Sequence, residues 1–120
     1  MKLDIDLMRE ILLQIEEEHQ GPDWELPISS MDYSRFYVAE RLAEKGLVRA
    51  HTLPDTEDDS VQWIVIERMT VSGHELLESI RDPKAWKAVK AIASKIGNSG
   101  IGILMDIAQN YAKEQLGLGA

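Results

Sequence analysis

Cysteine is absent from the 120 residues, which excludes a disulfide framework, a thiol nucleophile and a cysteine-based zinc site. No apolar run approaches the roughly 20 residues that a membrane-spanning helix needs, so no membrane role is expected. A basic excess is missing too: 13 Lys+Arg stand against 21 Asp+Glu, a net charge of −8. Dedicated nucleic-acid binders draw most of their affinity from phosphate contacts and normally carry the opposite sign. The opening Met1-Lys2-Leu3-Asp4-Ile5-Asp6 places acids where a secretory signal has an apolar stretch, so a cytoplasmic protein is expected. What remains is ordinary for a globular chain, with 44% hydrophobic and 28% charged residues. The length fits one domain, 1–120, with a modest core.

The charge is unevenly distributed. Residues 1–60 hold 6 Lys+Arg and 15 Asp+Glu, a net −9, whereas residues 61–120 hold 7 and 6, a net +1. Any nucleic-acid role must therefore rest on a local patch.

The pattern predicts a helix from about Asp4 to His19, capped by Asp4, with Ile5, Met8, Leu12 and Ile15 at helical spacing. Gly21-Pro22 stops it, and Trp24 to Ile28 reads as a short extended piece that Pro27 confines to a sheet edge. A second helix runs from about Asp32 or Ser34 to Lys45 and ends at Gly46. At about 100° per residue, Phe36, Ala39, Leu42 and Ala43 share its apolar face with Val38 at the margin. Tyr33, Tyr37, Glu40, Arg41 and Glu44 lie opposite. Residues 47–52 and 61–66 read as two strands joined by a polar loop, 53–60. Helix, short strand, helix and hairpin is the order of a winged helix.

Thr70 is placed to cap a third helix whose core candidates are Leu76, Leu77 and Ile80, and Asp82-Pro83 is a strong start signal for a fourth. That helix, Pro83 to Ile96, gathers Trp86, Val89, Ile92, Ala93 and Ile96 on one side and sets Lys84, Lys87, Lys90 and Lys95 on the other. A break at residues 97–100, with Ser99 as the next cap, precedes a last helix to Leu116. Its apolar residues cover an arc of about 220°, wider than one supporting surface requires. The expectation is a homodimer through a strip containing Ile101, Met105, Ala108 and Leu116. The alternative is a helix clamped inside one chain.

The run Thr70-Val71-Ser72-Gly73-His74-Glu75, followed by Arg81-Asp82-Pro83-Lys84-Ala85-Trp86, resembles a family of short phage and bacterial proteins of unknown function. The stretches from Met1 to Leu12 and from Val38 to Val48 are similar to the same family, although its members often carry a His where this chain has Glu40 or a neighbour. The resemblance implies a winged-helix-like fold in a mobile-element setting and carries over no functional residues.

Sites of chemistry are sparse. His74-Glu75 lacks the third converging ligand that a metal needs, and Gly73 is better explained by close helix packing with His74 bonding a neighbouring group. Gly97-Asn98-Ser99-Gly100 has neither the order nor the flanking residues of a phosphate loop. Asp55, Glu57, Asp58 and Asp59 read as a solvated run. No cofactor motif and no nucleophile–base pairing is present, so an enzyme is not expected.

The expected fold is α+β: a winged-helix-like part over 1–81, then a helical extension over 82–120. Two readings compete. One is a protein-binding module, for example an inhibitor of a host or defence factor. The other is a regulator that places the helix 32–45 on duplex DNA. Tyr33, Arg35, Tyr37, Glu40, Arg41, Lys45 and Arg49 are the candidate contacts in either case, with Lys84, Lys87, Lys90 and Lys95 as a basic patch for phosphates.

Overall fold

The computed structural model of the chain describes residues 3–97 and 100–117. Within them the order is α1 (Ile5–Glu18), β1 (Leu26–Ser29), α2 (Tyr33–Glu44), β2 (Val48–Pro54), β3 (Gln62–Met69), α3 (Val71–Ile80), α4 (Pro83–Ile96) and α5 (Ile101–Gln115). This is the expected α+β succession of helix, strand, helix and hairpin, followed by helices.

Most helix starts follow from one side chain each. Asp4 accepts from the Leu7 N–H, Thr70 from Gly73, and Asp82 from Ala85 with Pro83 in the first helical turn. Gly97 ends α4 in the left-handed region at φ 73°. The cap expected at Ser99 lies outside the described residues, and α5 starts from Gly100 with no side-chain cap.

The sheet is antiparallel in the order β1-β3-β2. Ser30 N–H donates to Gln62 O at 2.8 Å. By the alternation of an antiparallel ladder, Gln62, Ile64 and Ile66 turn their main chain toward β1, while Trp63 and Val65 turn theirs toward β2. Pro27, opposite Val65, and Pro54, opposite Gln62, thus occupy outward positions on the two edge strands. A missing N–H costs no ladder bond there. This is why β2 extends through Leu53 and Pro54, two residues beyond the expected strand, and shortens the loop.

One cluster of buried side chains joins all the helices to the sheet: Met8, Ile11, Leu12 and Ile15 on α1, Leu76, Leu77 and Ile80 on α3, and Leu104, Ile107 and Ala108 on α5 are among its members. Two expectations are corrected. In α2, Val38, Ala39 and Leu42 are buried and Phe36 is only half-buried, because α1 packs on one flank of the helix and the sheet on another. In α4, Trp86, Val89 and Ala93 turn inward while Ile92 is 39% and Ile96 55% exposed. The indole fixes that rotation by donating from Nε1 to Asp6 of α1 at 2.9 Å. Val65 is buried, but on the outer side of the sheet, outside the main cluster.

The tightest junction lies where α2, both hairpin strands and α3 meet. Gly46 takes φ 75°, and Leu47 N–H closes α2 by donating to Leu42 O. Thr70 N–H donates to Leu47 O at 3.0 Å, and Thr70 Oγ1 donates to Gly46 O at 2.5 Å. Gly73 packs so closely that a β-carbon there would stand 2.1 Å from Leu47 O and 2.6 Å from Met69 Cγ. Gly73→Ala should therefore destabilise the protein by about 2 kcal/mol or more, outweighing the roughly 1 kcal/mol by which alanine favours a helix. Gly21→Ala, with nothing within 4 Å of the added carbon, should leave the guanidinium unfolding midpoint almost unchanged in the same assay.

Candidate interaction surface

The outward face of α2 carries a continuous ladder of side chains. Tyr33 is 57% exposed and stacks on Tyr37 with ring centroids 6.3 Å apart. The Arg41 guanidinium lies 5.0 Å from the Tyr37 centroid and pairs with Glu44 at 2.7 Å. The spacing i, i+4, i+8 places these groups one above another on the helix. Glu40 shares this side of α2. The remaining predicted contacts go elsewhere. Arg35 turns toward α1, where Nη2 donates to Gln14 Oε1 at 2.6 Å, and it also meets Asp32 at 3.8 Å. Lys45 lies beside the first turn of α5, with Nζ 3.3 Å from the place of a β-carbon on Gly102. Arg49 faces Arg68 across the hairpin, both exposed.

The acidic loop of the hairpin is built on its own carboxylates. Asp55 accepts from Trp63 Nε1 at 2.9 Å and from the N–H groups of Glu57 and Asp58 at 3.0 Å. Asp58 accepts from the Ser60 hydroxyl and N–H. The Trp63 bond, then the two backbone donors, hold the Asp55 carboxyl below its ordinary value. The Ser60 donors do the same for Asp58.

Lys84, Lys87 and Lys95 are exposed, as expected of a basic face. Lys90 is not free: Nζ pairs with Asp6 at 3.0 Å and lies 5.8 Å from the Trp86 centroid. Arg9 flanks the same indole at 5.9 Å and donates to the carbonyls of Ile80 and Arg81. Lys90 and then Trp86 lower the pKa of Asp6. Asp6, Arg9, Trp86 and Lys90 therefore clasp α1 to α3 and α4.

The strip expected to bind a second copy is largely occupied within one chain. Ile101 and Ala108 are buried, and Met105 is half-buried in a cleft shared with Leu76 and Ser79 of α3. Leu116 remains 72% exposed. His74 is exposed and makes no side-chain hydrogen bond among the described residues, so the bonding expected of it is not seen. Among the described residues no group of three or more His, Asp or Glu could hold a metal ion. None of their helices is long and apolar enough to cross a membrane.

Sequence reasoning missed a groove between α2 and β2. Glu40, Ala43 and Glu44 face Ala50, His51, Thr52 and Ile64 across about 290 Å³. The signal was the pair of small residues Ala43 and Ala50 on adjoining elements, which matters only once the elements are placed side by side.

These features define a small α+β protein with an aromatic and acidic helix face beside an acidic hairpin. The chain belongs to the family described as Hypothetical protein (DUF2513), which matches residues 2–99 and so ends before α5. It is also similar to a Haemophilus influenzae protein described as "Uncharacterized protein", 28% identical over 120 residues that cover 97% of this chain and 99% of the relative. No solved structure matches.

Because the folded pKa of Asp55 is depressed, its contribution to stability is present above the unfolded value and is lost as pH falls through the lower folded value. The Trp63 indole N–H resonance should hold its position through the ordinary carboxylate range and move only below it. In Asp55→Ala the resonance should already be displaced at neutral pH, with the rest of the spectrum intact.

Proposed function

We propose that this protein is a non-enzymatic interaction module whose partner is a protein, bound through the outward face of α2 and the acidic hairpin. The observation that carries this is the Tyr33–Tyr37–Arg41–Glu44 ladder, flanked by Met31, which is 81% exposed. Tyrosine and arginine are the residue types that supply most binding energy at protein interfaces, and a pre-stacked row loses little side-chain freedom on docking. The resemblance to phage and bacterial proteins adds a regulatory setting, such as inhibition of a host or defence factor in the cytoplasm.

A second reading, a winged-helix regulator on duplex DNA, draws on the order of elements and on the exposed Arg49, Arg68, Lys84, Lys87 and Lys95. It is the weaker reading. Arg41 is paired with Glu44 and Arg35 is held by Gln14 and Asp32, while the hairpin presents carboxylates where phosphates would lie.

Affinity capture from host extract tests the first reading. A protein retained by the wild type should be retained at least about tenfold less by Tyr33→Ala/Tyr37→Ala, in line with the loss of two central aromatic anchors. A duplex titration run alongside should show no shift at physiological salt. A shift that falls steeply with salt and disappears in Arg41→Glu would transfer the reading to DNA.

A further inference from the structure

The two edges of the sheet are treated differently. β1 is four residues long, and Pro27 holds one of its outward positions, so it exposes little main chain to a further strand. β2 is seven residues long. The ladder alternation turns the N–H and C=O groups of Ala50 and Thr52 away from β3, and among the described residues no hydrogen bond engages them. Pro54 closes only the far end, and the bulge between Arg49 and Ala50 lies at the near end. Natural edge strands are normally blunted by prolines, bulges or their own charges. Between that bulge and Pro54, the outward main chain from Ala50 to Thr52 carries neither a proline nor a charged side chain at its two outward residues.

This free rim borders the groove under α2. Ala43, Ala50 and Ile64 give the groove an apolar floor, and Glu40 and Glu44 stand on its helix side. Glu44 is paired with Arg41, whereas Glu40 makes no ion pair among the described residues. The loop carrying Asp55, Glu57, Asp58 and Asp59 follows directly beyond the end of β2. No Lys or Arg lines the groove.

We propose that the free edge of β2 is a docking site for an extended, basic segment of a partner protein. The segment adds as a fourth strand, with Lys or Arg side chains reaching Glu40 and the acidic hairpin loop. This rests on the protein-binding reading above and names the chemistry of the bound segment. Charge selects the occupant. An acidic segment would meet Glu40 and the carboxylates of the hairpin loop at close range.

The test is titration of the isotope-labelled full chain with an acetylated, amidated eight-residue peptide of alternating Lys and Val, followed by amide shifts and hydrogen exchange. The Ala50 and Thr52 amides should shift and become protected. Binding should weaken as salt rises from about 50 to about 500 mM, and Glu40→Lys should weaken it roughly five- to tenfold. The Glu–Val analogue should not bind. Nor should a Lys–Val peptide N-methylated on alternate residues, which cannot pair with the strand on its methylated edge. Thr52→Pro removes an outward N–H without breaking a ladder bond and should abolish binding in a folded protein. If that variant unfolds, the N-methylated peptide still decides the matter.

The proposal is overturned if the N-methylated or Glu–Val peptide binds as well as the Lys–Val peptide, if shifts are confined to residues 55–60, or if no shift is seen. Concentration-dependent protection of Ala50 and Thr52 without peptide would assign the edge to a second copy instead and would equally overturn it. A chain that ignores the peptide yet captures a protein through Tyr33 and Tyr37 refutes the edge and leaves the α2 reading standing. Peptide binding without any capture dependent on those tyrosines does the reverse.

Discussion

The carbonyl oxygen of Leu47 lies 2.1 Å from where a β-carbon on residue 73 would stand, and four elements take their ends around that contact. Gly46 and Leu47 finish α2 and start β2, while Thr70 finishes β3 and caps α3 with one residue's N–H and hydroxyl. Only glycine lets the helix come close enough for all of these bonds to form together. With α3 held against the base of the hairpin, its far end is fixed by Arg9, which donates to the carbonyls of Ile80 and Arg81, and by Arg81, which reaches Glu16. The chain then turns at Asp82-Pro83, and Trp86 returns to Asp6. The clasps share one helix, because α3 packs against both α1 and α4.

Helix ends were legible because capping is local chemistry, whereas strand ends were not: β3, expected to stop at Ile66, runs to Met69. Asp4, Gly46, Thr70, Asp82-Pro83 and Gly97 act within a few residues of themselves. Helix rotation was not legible. Periodicity says which side of α2 or α4 is apolar, but two neighbours at an angle decide which part of that side is covered, and they chose Val38 over Phe36 and Ala93 over Ile92. The broad apolar arc of α5 looked like a surface in need of a second molecule. Its position against both α3 and α4 accounts for most of that width.

The interaction surface divides in the same way. Tyr33, Tyr37 and Arg41 follow from spacing on one helix and could be read directly. Arg35 and Lys90 could not, because their partners Gln14 and Asp6 come from α1, 21 and 84 residues away. The cations Arg9, Arg35, Arg41, Arg81 and Lys90 are all engaged by the chain's own oxygens. A count of charges along the sequence treats them as available. In the structure four of them pair with first-half acids, Asp6, Glu16, Asp32 and Glu44, and none of the five reaches Glu40 or the carboxylates of the hairpin loop.

The proline in β1 has a consequence for the size of any assembly. A sheet that can be lengthened on one side only is a terminus and not a link. A strand added at β2 would leave β1 as the other end of the composite sheet, two strands further in, where Pro27 leaves little main chain to take another molecule. A strand docked at β2 as proposed would make this chain the end of a composite sheet and not a bridge between two.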